Sequence, residues 1–352
     1  MKASYSKYTL NFKRPSGTSR GVLKTKETWL IQITNQTHFG IGECGILRGL
    51  SVDDRPDYEE KLKWTCENIH LGEEVLIAEL KEFPSIQFGL ETAFLSLSAH
   101  QKRNDAYQLF PSKFAEGKQG MKINGLIWMG EFDYMKEQIQ QKIDQGFSCI
   151  KMKIGAIDFE KEIKLLQQIR AHFSAEEIEL RVDANGAFHP AEALEKLNRL
   201  SQFNLHSIEQ PIAPKQWGEM KRLCQQTPLP IALDEELIGV FELADKRQLL
   251  QKIQPQYIIL KPSLVGGFQG SDEWIELAEE LGIGWWITSA LESNIGLNAI
   301  AQYTFTKKVS MPQGLGTGSL YTNNIESPLL VSGEEIWYQP KNNWAELNAF
   351  FN

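Results

Sequence analysis

The chain has 352 residues, of which 42% are hydrophobic and 23% are charged, and its formal net charge is −8. This composition is typical of a globular protein with room for one large domain and a smaller one. The negative charge argues against nucleic acids and anionic membrane surfaces as partners, because both bind basic faces, and it is compatible with binding of a metal cation.

The N-terminus and the cysteines indicate a cytoplasmic protein. The first residues, MKASYSKYTLNFKRPSG, contain no apolar segment of signal-peptide length, and no stretch approaches the roughly 20 apolar residues of a membrane helix. The four cysteines have no CxxC spacing, so we expect buried, reduced thiols and neither a zinc site nor a disulfide framework: Cys44, Cys66, Cys149 and Cys224.

The first third of the chain is predicted to be an α+β unit that covers residues 1–115. After several strand-like runs, residues 56–70 have a helical pattern, and Ser85–Arg103 is a second, more apolar helix. Two loops of this unit, Arg14–Gly21 and Gly45–Asp54, contain the glycine and small polar residues that suit a mobile lid.

From Met121 onward, strand-like runs alternate with helical patterns. The eight runs are MKINGLIWM, CIKMKIG, IELRVDANG, LHSIEQPI, PIALDEEL, YIILKPSLVGG, GWWITSALES and PQGLGTGS. Eight strands with seven intervening helices predict parallel βαβ units that close into a TIM-type barrel over residues 116–320. An open doubly wound sheet is the alternative, but no GxGxxG turn follows the first strand. Residues 321–352 are predicted to be irregular chain that packs back on the N-terminal unit.

Charged residues stand at the carboxyl ends of consecutive predicted strands, where barrels of this type carry their functional groups. On the second strand, Lys151 and Lys153 share one face because strand side chains alternate, and charges in so apolar a run need a partner or a role. The later strand ends carry further polar residues: Asp183 and Asn185, then Glu209, then Asp234 and Glu235, then Lys261, and finally Ser289, Glu292 and Ser293.

Asp183, Glu209 and Asp234 are expected to converge, because one βα unit separates each from the next. Three carboxylates in a small volume repel one another, and a hard cation with oxygen ligands removes the repulsion, so the pattern favours Mg²⁺. A lysine stands on either side, Lys153 from the second strand and Lys261 from the sixth. One such residue alone is more often a helix cap or a surface group, but five strand ends in register favour one shared mechanism.

Three further features lie near these strand ends. Arg181 has the strand parity of Asp183, so we expect it to point into the barrel one layer deeper, where it balances the carboxylates or meets the substrate. His189, just after DANGAF, is predicted to start a helix. Gly266–Gly267 is predicted to form a tight turn near the mouth, with no chemistry assigned to it.

The motifs KMK, DAN, IEQP, DE and LKPS, in this order, resemble those of the enolase superfamily and, within it, the muconate-lactonising-enzyme branch. The resemblance covers nearly the whole chain. It implies an α+β N-terminal capping domain, a modified TIM barrel of the (β/α)7β type and a C-terminal segment, residues 321–352, that returns to the cap. It also implies an enzyme that acts on a small-molecule carboxylate with Mg²⁺, for which Mn²⁺ substitutes, and a homo-oligomer is compatible with it.

The same resemblance implies roles for the strand-end residues. Asp183, Glu209 and Asp234 bind the metal, and Asn185 and Glu235 orient these ligands. Lys153 is the acid and base, Lys261 is the opposing cation, and Lys151 is the neighbour whose ammonium disfavours the protonated form of Lys153. We expect substrate contacts from a further set: Ser19, Arg20, Arg181, Ser289, Glu292 and Ser293.

The segments TSALESNIGLNAIAQ and GLGTGSLYTNN most resemble the o-succinylbenzoate synthase family of menaquinone biosynthesis. That resemblance implies dehydration of 2-succinyl-6-hydroxy-2,4-cyclohexadiene-1-carboxylate through an ene-diolate. N-succinylamino acid racemisation, dipeptide epimerisation and cycloisomerisation stay open. The eighth strand reads GLGTGS and lacks the Asp-x-Asp motif usual in dipeptide epimerases. A non-catalytic scaffold would have lost part of the site, whereas all three carboxylates and both lysines are present.

Overall fold

The N-terminal part of the chain forms an antiparallel sheet covered by helices. The computed structural model describes residues 1–18, 21–347, 350 and 351. The sheet contains β1 (Lys2–Thr18), β2 (Gly21–Asn35) and β3 (His38–Gly45), and the helices are α1 (Tyr58–Glu67), α2 (Glu73–Glu79) and α3 (Pro84–Arg103). Trp29, Ile31 and Ile33 alternate along β2 and share a buried core with Leu90 of α3, as the period of a half-buried strand requires.

Helix α3 lies directly on β3. A Cβ atom at Gly42 would stand 1.9 Å from the carbonyl oxygen of Gly89, and one at Gly40 would stand 2.1 Å from that of Ala93. Only glycine allows so close an approach of strand and helix. These glycines therefore fix the position of α3, which also contacts the second part of the chain.

The second part of the chain is a curled sheet of seven parallel strands with a helix after each one. Its strands, in spatial and sequence order, are β5 (Gly125–Ile127), β6 (Cys149–Lys153), β7 (Glu179–Asp183), β8 (Ser207–Glu209), β9 (Ile231–Leu233), β10 (Tyr257–Leu260) and β11 (Gly284–Ile287), and β4 (Met121–Lys122) precedes them. The helices are α4 (Phe132–Asp144), α5 (Phe159–His172), α6 (Pro190–Ser201), α7 (Trp217–Gln226), α8 (Leu243–Ile253), α9 (Pro262–Val265), α10 (Gly267–Glu280) and α11 (Asn294–Thr306).

The predicted α/β barrel is confirmed, but its eighth strand is not regular. Gly314 bridges Thr288 after β11, and Gln313 bridges Ile123 before β5, so the PQGLGTGS segment closes the barrel through single bridges on both sides. Its glycines weaken strand formation, since they have no side chain to pack and lose more entropy on ordering. His189 starts α6 as predicted, and its Nδ1 accepts a hydrogen bond from the backbone N–H of Ala191.

The C-terminal segment contains a β-hairpin where irregular chain was expected. Strands β12 (Leu329–Ser332) and β13 (Glu335–Tyr338) pair antiparallel, and β13 also pairs with β4. Farther along the surface, the Asn323 side chain accepts a hydrogen bond from the backbone N–H of Asn11 at 2.8 Å. The rings of Tyr8 and Phe350 meet edge to face at 5.2 Å. The segment therefore contacts both the barrel and the N-terminal sheet. The predicted boundaries at 115/116 and 320/321 stay a proposal.

The sequence analysis also made predictions about the state of the cysteines and about membrane-spanning helices. All four cysteines are free and buried. Within the described ranges, no helix combines the length and apolar character needed to cross a lipid bilayer.

Glu91 of α3 joins the N-terminal unit to the barrel. Its buried carboxylate accepts hydrogen bonds from the backbone N–H groups of Phe268 and Gln269, in the first turn of α10, where negative charge is favoured. A Cβ at Gly267 would lie 2.2 Å from Glu91 Oε2, and the φ of Gly267 is +70°. This contact gives a structural reason for the Gly266–Gly267 turn.

Glu91 is expected to make the stability of the protein pH-dependent. Burial raises its pKa from 4.5 to about 7, against the hydrogen bonds from Gln87 and Phe268. Because the folded-state pKa is the higher one, its contribution to stability is complete below pH 4.5 and is lost as the pH rises through about 7. In urea unfolding at pH 5 and pH 8, the wild type should therefore lose up to about 3 kcal/mol more than Glu91→Gln. Exposed Glu79→Gln should behave like the wild type, and equal pH dependence of all three proteins would contradict this assignment.

Candidate active site

Six charged side chains meet at the carboxyl ends of β6 to β10. In the strand register Asp183 stands opposite both Lys153 and Glu209, which places these three at one level. Asp234 directly follows β9, and Lys261 directly follows β10 and precedes α9. The structure thus brings together the three lysines and the three carboxylates to which the sequence analysis gave catalytic or metal-binding roles.

The lysines and carboxylates form one buried ion-pair network. Lys151 Nζ lies 2.9 Å from Asp183 Oδ2 and also pairs with Glu209 Oε2. Lys153 Nζ lies 2.9 Å from the same Asp183 oxygen. Lys261 pairs with Asp234 Oδ2. The carboxylate side chains are at most 2% exposed and the lysine side chains at most 12%, so these charges interact with little screening by water.

The protonation of the network follows from burial and neighbouring charge. Burial alone would lower the pKa of Lys151, but Asp183 and Glu209 outweigh it and hold that pKa above its ordinary value. Burial would raise the pKa of Asp183, and the charges of Lys151 and Lys153 hold it well below its ordinary value instead. Lys261 likewise overcomes burial to lower the pKa of Asp234.

Glu209 is the exception in this network. Burial and the charge of Asp183 raise its pKa well above the ordinary value, although Lys151 acts against them. Its Oε1 atom is buried and accepts no hydrogen bond from any described residue, and the ammonium of Lys261 is 3.9 Å away from it. A buried carboxylate oxygen without a hydrogen bond is costly, so this atom could accept a further donor or a cation.

The donor set fits a hard divalent cation. Asp183, Glu209 and Asp234 offer only oxygen, and the unsatisfied Glu209 Oε1 is an open ligand position. Within the described residues, no three acidic, His or Cys side chains are already arranged around one metal position. The ammonium groups of Lys151 and Lys261 hold these carboxylate oxygens instead. A metal ion would therefore replace ammonium contacts with metal–oxygen contacts.

Asn185 links the base candidate to a further carboxylate. Its Oδ1 accepts a hydrogen bond from Lys153 Nζ at 2.7 Å, its Nδ2 donates to Glu235 Oε1 at 3.0 Å, and its backbone N–H donates to Asp183 Oδ1 at 3.0 Å. Asn185 has a φ of +45°, a conformation that asparagine tolerates better than most residues. These contacts fit the predicted orienting role of Asn185 and Glu235.

A partly open cavity of about 80 Å³ adjoins Lys151, Lys153, Asp183 and Lys261. Leu23, Leu47 and Leu50 of the N-terminal unit cover it, and its other walls come from barrel residues that include Asn124, Leu126, Trp128, Trp286, Thr288, Ser289, Leu291, Gly314, Gly316 and Thr317. The N-terminal unit therefore caps the site, and Leu47 and Leu50 belong to the predicted lid Gly45–Asp54.

Trp128 is a site residue that the sequence analysis missed. It follows β5, the first barrel strand, and its ring centre is 5.9 Å from Lys153 Nζ. It also lines a larger outer groove of about 810 Å³ with Arg14 and Ser16. The carboxyl end of the first strand carries no charge, so the pattern of charged strand ends did not include Trp128. Its position at a strand end of the barrel could still have indicated it.

The predicted substrate-contact residues lie in different places. Ser289 lines the cavity, where its hydroxyl hydrogen-bonds that of Thr317 at 2.7 Å. Glu292 and Ser293 are buried behind this wall and do not line the cavity. Arg181 is also away from it.

Arg181 belongs to the barrel interior. Its Nε donates to Glu179 Oε1 at 2.7 Å and one Nη to the carbonyl oxygen of Pro312 at 3.0 Å. Its guanidinium carbon lies 4.6 Å from the ring centre of Trp286. The parity argument placed Arg181 one layer below Asp183, as observed, but the partner that neutralises it is Glu179 and not the carboxylates at the mouth.

The other predicted lid is a strand in its described part. Arg14, Ser16 and Thr18 belong to β1, and Ser16–Thr18 pairs with β2. Residues 14–18 of the expected loop are therefore strand, because β1 continues past an irregularity in register between Asn11 and Ser16. Ser19 and Arg20 lie outside the described residues.

Comparisons with known proteins agree with this architecture. The family model "Enolase C-terminal domain-like" matches residues 134–332, and "MenC, N-terminal domain" matches residues 2–97. The chain is 47% identical to an o-succinylbenzoate synthase of Desulfotalea psychrophila, over 95% of this chain and 98% of that protein.

Solved structures support the same relationship. The crystal structure of MenC from Desulfotalea psychrophila LSv54 superposes with a TM-score of 0.84 at 44% identity and covers 96% of this chain and 99% of that one. The muconate lactonizing enzyme of Pseudomonas fluorescens, at 20% identity, shares the fold with a TM-score of 0.81 over 100% of this chain and 98% of that one.

The barrel, its cap and the carboxylates and lysines at its mouth define an enzyme of the enolase superfamily, in the muconate-lactonising-enzyme branch. Within that superfamily, the chain belongs to the o-succinylbenzoate synthase family.

Proposed function

We propose that this enzyme is a Mg²⁺-dependent o-succinylbenzoate synthase that dehydrates 2-succinyl-6-hydroxy-2,4-cyclohexadiene-1-carboxylate in menaquinone biosynthesis. The network of Lys153, Lys261 and the three carboxylates carries the proposal, because it places two lysine side chains beside a single cavity at the carboxyl ends of the strands. The high identity with the Desulfotalea psychrophila synthase along almost the whole chain supports the choice of reaction. A soluble dicarboxylate substrate fits the predicted cytoplasmic location.

The metal would be held by Asp183, Glu209 and Asp234, whose oxygen-only donor set suits Mg²⁺ and also Mn²⁺. When bound, Mg²⁺ supplies a positive charge that stabilises the negative charge developing on the substrate carboxylate. Asn185 and Glu235 hold the ligands and Lys153 in place through the hydrogen bonds described above.

The chemical step uses the lysines of the site. Lys153, as a neutral amine, removes the proton on the carbon next to the carboxylate, and the electron pair of the broken C–H bond enters an ene-diolate. The ammonium of Lys261 supports this charge. Lys153 then gives its proton to the departing hydroxyl, the C–O bond breaks, and water leaves as the ring becomes aromatic. Lys151, whose pKa is held above its ordinary value, stays charged and pairs with Asp183 and Glu209.

Racemisation of N-succinylamino acids is the second candidate. Lys153 and Lys261 both line the cavity, and two lysines could exchange a proton with one carbon from opposite sides. Dipeptide epimerisation is less favoured, because the eighth-strand residues that line the cavity are Gly314, Gly316 and Thr317. They provide no carboxylate to bind a substrate amino group.

Removal of divalent metal tests the metal part of the proposal. Treatment with a chelator should abolish dehydration, and addition of Mg²⁺ should restore it, with Mn²⁺ as a partial substitute. Mg²⁺ should also raise the Tm of the chelated wild type, since it binds the folded protein. Asp234→Asn, which removes one anionic ligand, should lose most of this shift. Full turnover in metal-free buffer would overturn the metal assignment.

A further inference from the structure

A second group of buried charges lies where the cap meets the barrel, outside the cavity. Lys26 and Glu43 belong to the cap strands β2 and β3, Glu292 belongs to the loop after β11, and Ser263 belongs to α9, which follows β10. All four residues are at most 3% exposed. Burial of three ionisable side chains is costly unless contacts compensate it, so the group calls for a structural or functional explanation.

Glu43 caps the helix that follows the seventh barrel strand. Its Oε1 accepts hydrogen bonds at 2.9 Å from the Thr28 hydroxyl and from the backbone N–H of Ser293. Its Oε2 accepts from the Ser293 hydroxyl at 2.5 Å and from the backbone N–H of Gly296 at 2.9 Å. A carboxylate of the N-terminal unit thus accepts hydrogen bonds from backbone N–H groups at the N-terminus of α11, where negative charge is favoured.

Glu292 lies between the Glu43 contact and two parts of the active site, the Lys261 turn and the cavity wall at Ser289. Its Oε1 accepts a hydrogen bond from the Ser263 hydroxyl at 2.5 Å. Ser263 stands two residues after Lys261, and Ser289 and Leu291 of the cavity wall precede Glu292 in the same segment. A shift of Glu292 would therefore move both the Lys261 turn and the wall formed by the seventh strand.

Two atoms of the group have no hydrogen-bond partner among the described residues. Lys26 Nζ and Glu292 Oε2 are both buried and make no hydrogen bond. Lys26 Nζ would lie 2.5 Å from a Cβ at Gly45, and the Thr28 hydroxyl 3.0 Å from it, so Gly45 leaves space beside the ammonium. Burial raises the pKa of Glu292 while the charge of Lys26 acts against it, so the two charges interact. A buried water with a donor on one side and an acceptor on the other would satisfy both atoms.

We propose that Lys26 and Glu43 of the cap are positioning residues that act through Glu292 to hold Lys261 and the Ser289 wall in their catalytic geometry. The inference rests on the proposed dehydration, in which Lys261 must stay close to the ene-diolate. The cap then has two roles when it packs on the barrel. It covers the cavity, and it also holds Lys261 and the Ser289 wall in place. Lys26 and Glu292 are coupled, and neither touches the substrate.

A double-mutant cycle tests this coupling. Lys26→Met and Glu292→Gln should each lower kcat for dehydration about 10-fold, since small displacements near the reacting carbon cost up to roughly 10²-fold. The double variant should also be about 10-fold slower, because residues that act through one contact are not additive. Ser263→Ala, which cuts the link to the Lys261 turn, should resemble Glu292→Gln. KM should change less than kcat in all of them.

Glu91→Gln is the matched control. Glu91 is another buried carboxylate of the N-terminal unit that accepts a hydrogen bond from the N-terminus of a barrel helix. That helix is α10, and Glu91 does not contact the cavity wall. It should change Tm without changing kcat. Unchanged kcat in Lys26→Met and Glu292→Gln, or a roughly 100-fold loss in the double variant, would overturn the positioning role. If the wild type only racemises N-succinylamino acids, the proposed function fails, and the same cycle measured on racemisation still decides the coupling.

Discussion

Lys153→Ala is expected to lower kcat for dehydration by roughly 10²- to 10⁴-fold or more, the range for loss of a general acid–base group. Lys153 takes the proton from carbon and returns it to the departing hydroxyl, so both bond changes lose their proton carrier. The fold should persist, because the side chain is held by Asp183 and Asn185 and makes no large contribution to the apolar core. Steady-state kinetics with circular dichroism would measure both outcomes.

Lys153→Arg should not restore activity. A guanidinium keeps its proton at any accessible pH and cannot act as the base, although it preserves the positive charge beside Asp183. Lys161→Ala, an exposed lysine on the nearby α5, is the matched control and should keep wild-type kcat. An active Lys153→Arg enzyme would assign the base to another residue.

Lys261→Arg is expected to separate dehydration from racemisation. In the dehydration Lys261 only needs to be a cation near the ene-diolate, a role that arginine can keep. In a racemisation it must itself carry a proton to and from carbon, which arginine cannot do. We therefore expect measurable dehydration, lowered up to roughly 10²-fold by the larger group, and no detectable racemisation of N-succinylamino acids.

Lys261→Met is the companion variant, because it is similar in length and has no charge. It should dehydrate more slowly than Lys261→Arg if positive charge is what Lys261 supplies, and Tm should be compared because Asp234 loses its ion-pair partner in the Met variant. Equal rates for the two variants would exclude the electrostatic role. Racemisation by Lys261→Arg would place the second proton carrier elsewhere.

The charged site could be predicted from the sequence because strand parity and the βα repeat act together. Side chains at the ends of neighbouring parallel strands share one edge, so Lys153, Asp183 and Glu209 had to meet once the barrel was assumed. The same parity placed Arg181 one layer deeper. It could not show that Glu179 neutralises it, because that pairing depends on side-chain direction inside the barrel.

The cap and the closing strand were harder to predict. Glu292 and Ser293 have the polarity of substrate contacts, but their partners, Ser263 and Glu43, come from distant segments of the chain. No local pattern encodes such contacts.

Trp128 was missed because an apolar side chain at a strand end resembles a core position. Only the packing of the cap on the barrel shows that it lies at the site. The eighth strand was predicted from its spacing, while its glycines leave only single bridges.

The most direct test of the proposed reaction is a side-by-side assay of the purified wild-type protein with Mg²⁺. One sample receives 2-succinyl-6-hydroxy-2,4-cyclohexadiene-1-carboxylate, and formation of the aromatic product is followed. The other receives N-succinylamino acids in D₂O, and exchange and inversion at the α-carbon are followed by NMR and polarimetry. The cavity, its lysines and its carboxylates predict dehydration with a kcat/KM above that of racemisation. Brisk racemisation without any dehydration would contradict the assignment.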